Sequence, residues 1–263
     1  MKSQIQSALD GIVGNVATLK EANGGGRAFE LFVMTQIAMG LKHAGFNVWI
    51  QRSDGNPIIH SDTDRKFIQR GGRPGPIPPV SKGPNNASSI LFKKTGSRHE
   101  WEIWNGIPFI GRSSATHEID IAIVHHDVGK KIIASGGHPT GRPRVSIECK
   151  DLGTVGELDE VRAFIARLYD TTFLNAHYNH LALSPRRVIH PGSPNTASHE
   201  AATTFHEENS RTKNLIAHRT GFRPSAARLS TYYQIELHAN IKPGSPAVSG
   251  LVSSVVNWAA TNA

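Results

Sequence analysis

The chain has 263 residues, a length that suffices for one large domain with its own core. Hydrophobic residues make up 38% and charged residues 19% of the chain, values typical of a globular protein that exclude wholesale disorder. The formal net charge of +8 indicates a polyanionic partner. We expect no membrane partner, since no apolar stretch approaches the roughly 20 residues that span a bilayer. The single cysteine, Cys149, excludes an internal disulfide framework and favours a cytoplasmic location.

The first third of the chain combines two predicted helices with a long polar loop. Apolar residues at helical spacing predict a helix over 4–20, and a Gly-rich break follows at 23–26. A stronger helix is predicted over about 27–44. Asn47–Gln51 has the composition of a strand. The segment 52–88 is rich in Gly, Pro, Asn and Ser, which predicts a long loop.

Short strands dominate the predicted middle of the chain. Apolar runs near 89–93, 99–104 and 117–124 favour strands. The polar stretch that follows has a short apolar run at 131–133, which we interpret as a further short strand. Val145–Lys150 is the next predicted strand.

Helices and strands alternate in the last third. The capping-box pattern at 154–157 opens a predicted helix that extends to about residue 174, and a strand is predicted at 180–183. A helix is predicted near 197–209. Strict apolar alternation over 233–241 is typical of a half-buried strand. A final helix is predicted to begin near Ser245.

An acid and a lysine two residues apart are the most informative chemical feature. Glu148 and Lys150 end an apolar run, so on a strand they point to one face while Cys149 points to the other. Asp120 lies within the strand-like run 117–124. A carboxylate can hold a divalent cation, and an ammonium can contact a phosphate or a water. Two strands that bring these side chains together would form a metal-dependent phosphodiesterase site.

Glu30 is an acid on an otherwise apolar helix face. The predicted helix 27–44 places it on one side with Val33, Met34, Ile37 and Leu41. A carboxylate on a core-facing stripe is costly unless it is paired or bound to a metal. We therefore expect Glu30 to belong to the same site.

The order of these features resembles the PD-(D/E)xK, or restriction-endonuclease-like, nuclease superfamily. Within about 27–184, Asp120 matches the aspartate of the family, and Glu148 and Lys150 match its Glu-x-Lys. Ile119 stands where the signature has Pro, a departure that costs the site no ligand. Members of the superfamily often carry a glutamate on the first helix that reaches the metal site, which Glu30 would match.

The resemblance implies an α/β fold with an αβββαβ core, in which helices flank a central mixed sheet. Three segments are expected on this basis. Residues 1–26 would form an N-terminal helix and a Gly-rich linker, and 27–185 would form the nuclease core with a basic loop insertion at 52–98. Residues 186–263 would be a C-terminal extension packed on the core.

The resemblance also implies a function. The protein is expected to be a Mg²⁺-dependent enzyme that hydrolyses DNA phosphodiester bonds, an endonuclease of restriction or defence type, with Mn²⁺ as the alternative ion. Asp120, Glu148 and Glu30 would hold the metal. Lys150 would orient the attacking water or neutralise charge on the phosphate.

A basic segment supports a nucleic-acid partner. Between residues 65 and 98 there are eight Lys or Arg and no Asp or Glu. Such a run is expected to contact backbone phosphates. The candidate DNA-binding residues are Arg65, Lys66, Arg70, Arg73, Lys82, Lys93, Lys94 and Arg98.

Several alternatives stay open. The chain could be a non-catalytic nucleic-acid-binding module on a nuclease fold, or a repair or junction-resolving nuclease. A homodimer, and activation by a ligand or partner protein, are both compatible with the sequence. A zinc site is less favoured: His177 and His180, or His199 and His206, could bring imidazoles together, but no C-x-x-C or H-E-x-x-H motif accompanies them.

Three further residues near the motif have two interpretations each. Glu118 shares the strand face of Asp120 and is either an extra ligand or a solvated strand-end residue. His117 is either a substrate contact or an ordinary polar residue. Cys149 is expected to be a packing residue of the core rather than a nucleophile.

Overall fold

A seven-stranded mixed sheet with helices on both faces is the main feature of the computed structural model. The structure describes residues 1–14, 18–20, 25–52, 55–62, 65–69, 87–111, 113–135, 143–171 and 212–263. The helices are α1 Lys2–Val13, α2 Gly25–His43, α3 His126–Ser135, α4 Leu158–Thr171, α5 Pro224–Tyr232 and α6 Ala247–Asn262. The strands are β1 Thr18–Lys20, β2 Asn47–Gln51, β3 Lys66–Ile68, β4 Ser89–Lys93, β5 Glu100–Ile110, β6 Thr116–His125, β7 Val145–Lys150, β8 Lys213–His218 and β9 Glu236–His238.

The large sheet has the spatial order β2-β4-β5-β6-β7-β8-β9. Neighbours from β2 to β7 are antiparallel, whereas β7, β8 and β9 run parallel. Parallel neighbours need a crossover connection, and α4 lies in the connection from β7 to β8. Separately, β1 and β3 form a small parallel pair.

Three clusters of buried apolar residues divide the core between the two faces of the sheet. The largest cluster lies among α1, α2, α6 and the sheet, with Ile37 and Trp258 among its members. On the other face, α3 covers β5 and β6 through Ile132. Next to it, α4 and α5 cover β8 through Phe164 and Ala226. The protein is thus a layered α/β structure, and the predicted α/β class with a mixed sheet flanked by helices is confirmed.

Helix α2 forms where the sequence predicts it. The expected apolar stripe is buried as a unit, and Glu30 on the same stripe is only 8% exposed. Gly45 follows the helix with a φ of +87°, a conformation that glycine adopts without strain and that ends helices.

The first predicted helix is shorter than expected. It was predicted over 4–20, but α1 ends at Val13, and Gly14 follows with a φ of +75°. Thr18–Lys20 then pairs with Lys66–Ile68 inside the predicted loop 52–88. The apolar pattern in the sequence therefore extends beyond Val13, the residue at which the helix ends.

The strand predicted at 131–133 is wrong, because these residues lie in α3. Val128 and Ile132 are four residues apart and both pack against the cluster under this helix. A three-residue apolar run is too short to separate a strand from a helix.

The strand predicted over 233–241 is reduced to Glu236–His238. Gln234 and Asn240 flank it with φ values of +54° and +57°, which interrupt an extended chain on both sides. The alternating pattern was real, but two left-handed residues confine the strand to its centre.

The segment expected to be a C-terminal extension contributes to the sheet itself. Residues 213–218 form β8, which pairs with β7 along its whole length. The predicted strand at 180–183 and helix near 197–209 lie outside the described residues. In the part of the chain that the structure describes, no helix is long and apolar enough to cross a bilayer.

Candidate active site

Strands β6 and β7 separate at the point where the predicted acids lie. Their ladder ends at the pair Ile121 and Ile147. Continuing the register by one residue places Asp120 opposite Glu148. The Cys149 N–H, instead of bonding to β6 backbone, donates to Asp120 Oδ2 at 2.8 Å. We call this point, with Asp120 and Glu148 on its two sides, the strand fork.

A glycine on β5 makes room beside the strand fork. Gly106 lies opposite Asp120 in the register between β5 and β6 and has a φ of +59°. The alternation of faces breaks there, since Trp104 and Ile107 pack into the same cluster although they are three residues apart. A Cβ at Gly106 would lie 2.7 Å from Arg27 Nη1, so the missing side chain leaves room for the guanidinium beside the sheet.

Glu148 is a buried carboxylate held by two cations. Its exposure is 1%, and its Oε1 lies 2.5 Å from both Lys150 Nζ and Arg167 Nη2. Its Oε2 is buried and has no hydrogen-bond partner among the described residues. Buried carboxylate oxygens rarely stay unpaired, so this atom is a candidate ligand position.

Glu30 reaches the same cluster from α2. Its Oε2 is 3.7 Å from Arg27 Nη1 and makes no hydrogen bond within the described part of the chain. The amide of Asn105, also buried, has no hydrogen-bond partner there either. Burial and the charge of Asp120 raise the pKa of Glu30 to about 8, although the Arg27 charge acts in the opposite direction.

The pKa of Asp120 is also shifted by burial and by a neighbouring acid. Burial and the neighbouring Glu148 raise the pKa of Asp120 to about 7, while the Cys149 N–H, Lys150 and Arg167 lower it. Burial alone would lower the pKa of Lys150, but the Glu148 and Asp120 charges outweigh it, so that pKa is raised. Lys150 is therefore an ammonium beside acids that resist simultaneous ionisation.

Of the four residues predicted for catalysis, Asp120, Glu148 and Lys150 act on one another across β6 and β7, and the Asp120 charge also acts on Glu30 of α2. Glu118 is close by and pairs with Arg27 at 3.2 Å. His117 pairs with Asp170 of α4 at 2.7 Å. Cys149 packs against the largest core cluster, as expected.

The donor set fits a hard divalent cation in its chemistry. Burial and a neighbouring acid raise the pKa values of Glu30 and Asp120, and Glu30 and Glu148 each present a buried oxygen without a hydrogen bond to any described residue. Oxygen ligands are those that Mg²⁺ and Ca²⁺ prefer. However, no three His, Cys, Asp or Glu side chains among the described residues are arranged to hold a metal ion. A cation at Glu148 would compete with Lys150 and Arg167.

Two arginines of the site were missed by the sequence argument. Arg27 pairs with Glu30 and Glu118, and Arg167 pairs with Glu148. Arg167 lies three residues after Phe164 and one before Leu168, both buried. A charged residue at the border of a buried helical stripe is the same signal that identified Glu30 and could have found Arg167.

The end of the basic segment at Lys93 and Lys94 lies apart from the strand fork, whereas Gln69 near its other end donates to the Arg27 backbone oxygen at 2.5 Å. Lys93 pairs with Glu100 at 3.0 Å, and Lys94 donates to the Ala260 backbone oxygen. Glu100 is six residues along β5 from Gly106, or roughly 20 Å at 3.4 Å per residue. Arg98 is exposed nearby, and Arg65 donates to the Gly14 backbone oxygen.

The remaining predicted ligands cannot be placed. Arg70, Arg73, Lys82 and the side chain of Lys66 lie outside the described residues. The same holds for the four histidines of the zinc alternative: His177, His180, His199 and His206.

Comparison with known proteins assigns no family. No protein-family model matches the sequence, and no curated protein or solved structure matches it. Function must therefore be inferred from the residues of this chain.

Proposed function

We propose that the protein is a metal-dependent nuclease that hydrolyses phosphodiester bonds in DNA. The observation that carries this proposal is the strand fork, where Asp120 stands opposite Glu148 and Lys150 contacts the Glu148 carboxylate. Glu30 adds a third acid from α2. Buried acids with raised pKa values cluster at functional sites, and Glu30 and Asp120 are two such acids.

The order of the elements supports a place in the PD-(D/E)xK superfamily. When β2 to β4 and α3 are left out, helix α2 is followed by the antiparallel strands β5, β6 and β7, then by α4 and by β8 parallel to β7. Reduced to these elements, the chain has the αβββαβ order with the acids on its second and third strands. We assign β8 the role of the last strand of that core.

Each side chain has a defined role in this proposal. Asp120, Glu148 and Glu30 would hold Mg²⁺, with Mn²⁺ as the alternative. When bound, the ion polarises a phosphate and lowers the pKa of a water. Lys150, held as an ammonium, would orient the attacking water or stabilise charge that develops on the phosphate oxygens.

The substrate is proposed from charge. A net charge of +8 favours a polyanion, and Lys93 and Lys94 would bind flanking phosphates rather than the scissile one, given their distance from the strand fork. We propose an endonuclease of restriction or defence type. Repair or junction resolution is the alternative use of the same site.

A non-catalytic DNA-binding module is the second candidate. It is favoured by one observation: Lys150 and Arg167 already neutralise Glu148, and no described group of three potential ligands is arranged for a metal. A protein that only binds DNA would need no further cation.

Incubation with DNA separates the two candidates. Supercoiled plasmid, linear duplex and single-stranded DNA would be treated with the protein in Mg²⁺, Mn²⁺ or EDTA. We expect metal-dependent nicking of the plasmid, which has no ends and so reports endonuclease action. Asp120→Ala and Lys150→Ala should reduce the rate by at least about 100-fold, a typical loss for groups that stabilise charge in a transition state.

Matched surface variants control for nonspecific effects. Asp159→Ala and Lys130→Ala remove an acid and a lysine that are 85% and 63% exposed, and both should retain activity. DNA binding without cleavage under any condition would reject the enzyme and favour the binding module. Cleavage that persists in Asp120→Ala would reject the proposed site.

A further inference from the structure

Arg167 approaches the carboxylate cluster from the face of the sheet opposite α2. Its Nη2 donates to Glu148 Oε1 at 2.5 Å, and its Nη1 lies 3.5 Å from the Glu118 backbone oxygen. The apolar side of α4 is buried against the sheet, and the guanidinium stands 5.8 Å from the Phe164 ring centroid. The packing of α4 therefore fixes the position of the Arg167 backbone.

Neutralising Glu148 does not require Arg167. Lys150 Nζ already lies 2.5 Å from the same Oε1 atom, so two cations share one oxygen while Oε2 has no hydrogen bond to any described residue. A guanidinium has five N–H donors in a planar arrangement that matches phosphate oxygens. The contacts to Glu148 and Glu118 use two of its nitrogens, and the side chain is 24% exposed.

We propose that Arg167 is a phosphate-binding residue of this site. This inference rests on the proposed nuclease function and specifies the ligand as a backbone phosphate of DNA. In the structure the guanidinium is held on Glu148. A divalent cation at Glu148 would compete for that carboxylate, and a phosphate of the bound DNA would then give the guanidinium a new acceptor.

The proposal predicts opposite effects on two binding equilibria. Without the guanidinium, one phosphate contact is lost, so DNA should bind more weakly. The same change removes a positive charge beside Glu148, so a divalent cation should bind more tightly. A misfolded variant would bind both DNA and the cation more weakly, so misfolding can be distinguished from loss of the proposed phosphate contact.

The experiment uses three variants of the full chain. Arg167→Met removes the charge, and Arg167→Lys keeps the charge but loses the planar donor set. The matched control is Arg162→Met on the same helix, where the side chain is 63% exposed and pairs with Asp159. Thermal melting checks that each variant is folded.

DNA binding is measured by fluorescence anisotropy of a labelled duplex in Ca²⁺ at several salt concentrations. For Arg167→Met we expect affinity to fall about tenfold and the slope of log K against log[salt] to shrink by about one. Arg167→Lys should lose affinity, about threefold, with little change in slope. Arg162→Met should match the wild type.

Cation binding is measured without DNA by calorimetry with Ca²⁺. Arg167→Met should bind Ca²⁺ roughly three- to tenfold more tightly than the wild type. Arg167→Lys should bind Ca²⁺ with the affinity of the wild type.

Unchanged DNA affinity and salt slope in Arg167→Met would overturn the inference. If that variant does not fold, full DNA affinity in Arg167→Lys would overturn it instead. A wild-type protein that neither binds nor cleaves DNA would reject the proposed function itself. Wild-type cleavage combined with normal binding by Arg167→Met would reject only the role of Arg167.

Discussion

The buried acids at the strand fork make stability depend on pH. The pKa of Glu30 rises from its ordinary 4.5 to about 8, mainly through burial, and that of Asp120 rises from 3.8 to about 7. Since the folded state then binds these protons more tightly than the unfolded chain, raising the pH favours unfolding. Below about pH 4 both acids are protonated in the folded and the unfolded chain, so the raised pKa values do not reduce the stability. The loss of stability is complete above about pH 8.

Replacing Glu30 by an uncharged isostere should remove much of this dependence. In EDTA, the wild type should lose on the order of 3 kcal/mol of unfolding free energy between pH 5.5 and 8.5. Glu30→Gln should lose clearly less, because it cannot ionise and because it also lets Asp120 ionise more easily. Urea unfolding at both pH values provides the measurement.

A surface acid serves as the control for that comparison. Glu157 is 61% exposed, so Glu157→Gln should keep the wild-type pH dependence. Other titrating groups affect all three proteins equally. If Glu30→Gln and the wild type lose the same stability, burial of the Glu30 carboxylate is not the cause.

Residue type and local spacing were enough to single out the acids and Lys150, but not the arginines that pair with them. Glu30 was recognisable because it interrupts an apolar helical stripe, and Glu148 and Lys150 because they share a strand face. Arg27 precedes Glu30 by three residues, a helical spacing that allows an ion pair, but its contact with Glu118 and its approach to Gly106 carry no local signal. Both depend on the approach of α2 to β5, which is a tertiary contact that no sequence period encodes.

At the scale of elements, the position of Glu30 depends on how α2 packs against α6. Gly40 of α2 faces α6, and a Cβ built there would lie 2.1 Å from Val252 Cγ1. The two helices therefore pack at a distance that only glycine allows. The branched Val252 side chain has little freedom to move aside.

Gly40→Ala should push α6 away from α2. We expect a loss of about 1–3 kcal/mol in unfolding free energy, the usual cost of overpacking, despite the better helix propensity of alanine. If the site is catalytic, Glu30 should also be displaced and activity should fall. Chemical denaturation measures the first effect.

Gly250→Ala on α6 is the matched control. A Cβ there meets no atom within 4 Å, so the substitution should stabilise the protein by about 0.5–1 kcal/mol. Equal effects of the two substitutions would show that the contact between α2 and α6 does not limit stability.

Element prediction succeeded where the apolar pattern was long and failed where it was short. Helix α2 and strands β2, β4 and β6 lie close to their predicted bounds. The run 131–133 offered three residues, and tertiary packing against β5 and β6 made it helical. At 233–241 the pattern was long, but left-handed residues cut it, and single-sequence patterns do not show φ angles.

At the scale of the whole molecule, the last part of the chain completes the sheet that bears the site. The β7 residues 145–150 pair with 213–218 of β8, and α6 packs on α2. The largest core cluster draws members from this part of the chain, among them Leu215, Ile241, Leu251, Val255 and Trp258. The parallel partner of β7 could not be located by pattern alone, because pairing between residues 68 positions apart leaves no local signal.

A chain that ends at residue 185 should therefore not fold by itself. Without β8, the strand that bears Glu148 and Lys150 would become an edge with unpaired backbone groups, and the core would lose its cover from α6. We expect no cooperative thermal transition and strong aggregation, measured by circular dichroism and size-exclusion chromatography. Co-expression with the segment 186–263 should restore a soluble complex with the wild-type melting profile, because the missing strands and helices return. A cooperative transition in the 1–185 chain alone would show instead that the strand fork is built on a self-sufficient core, and β8 would then be an addition to it rather than its last strand.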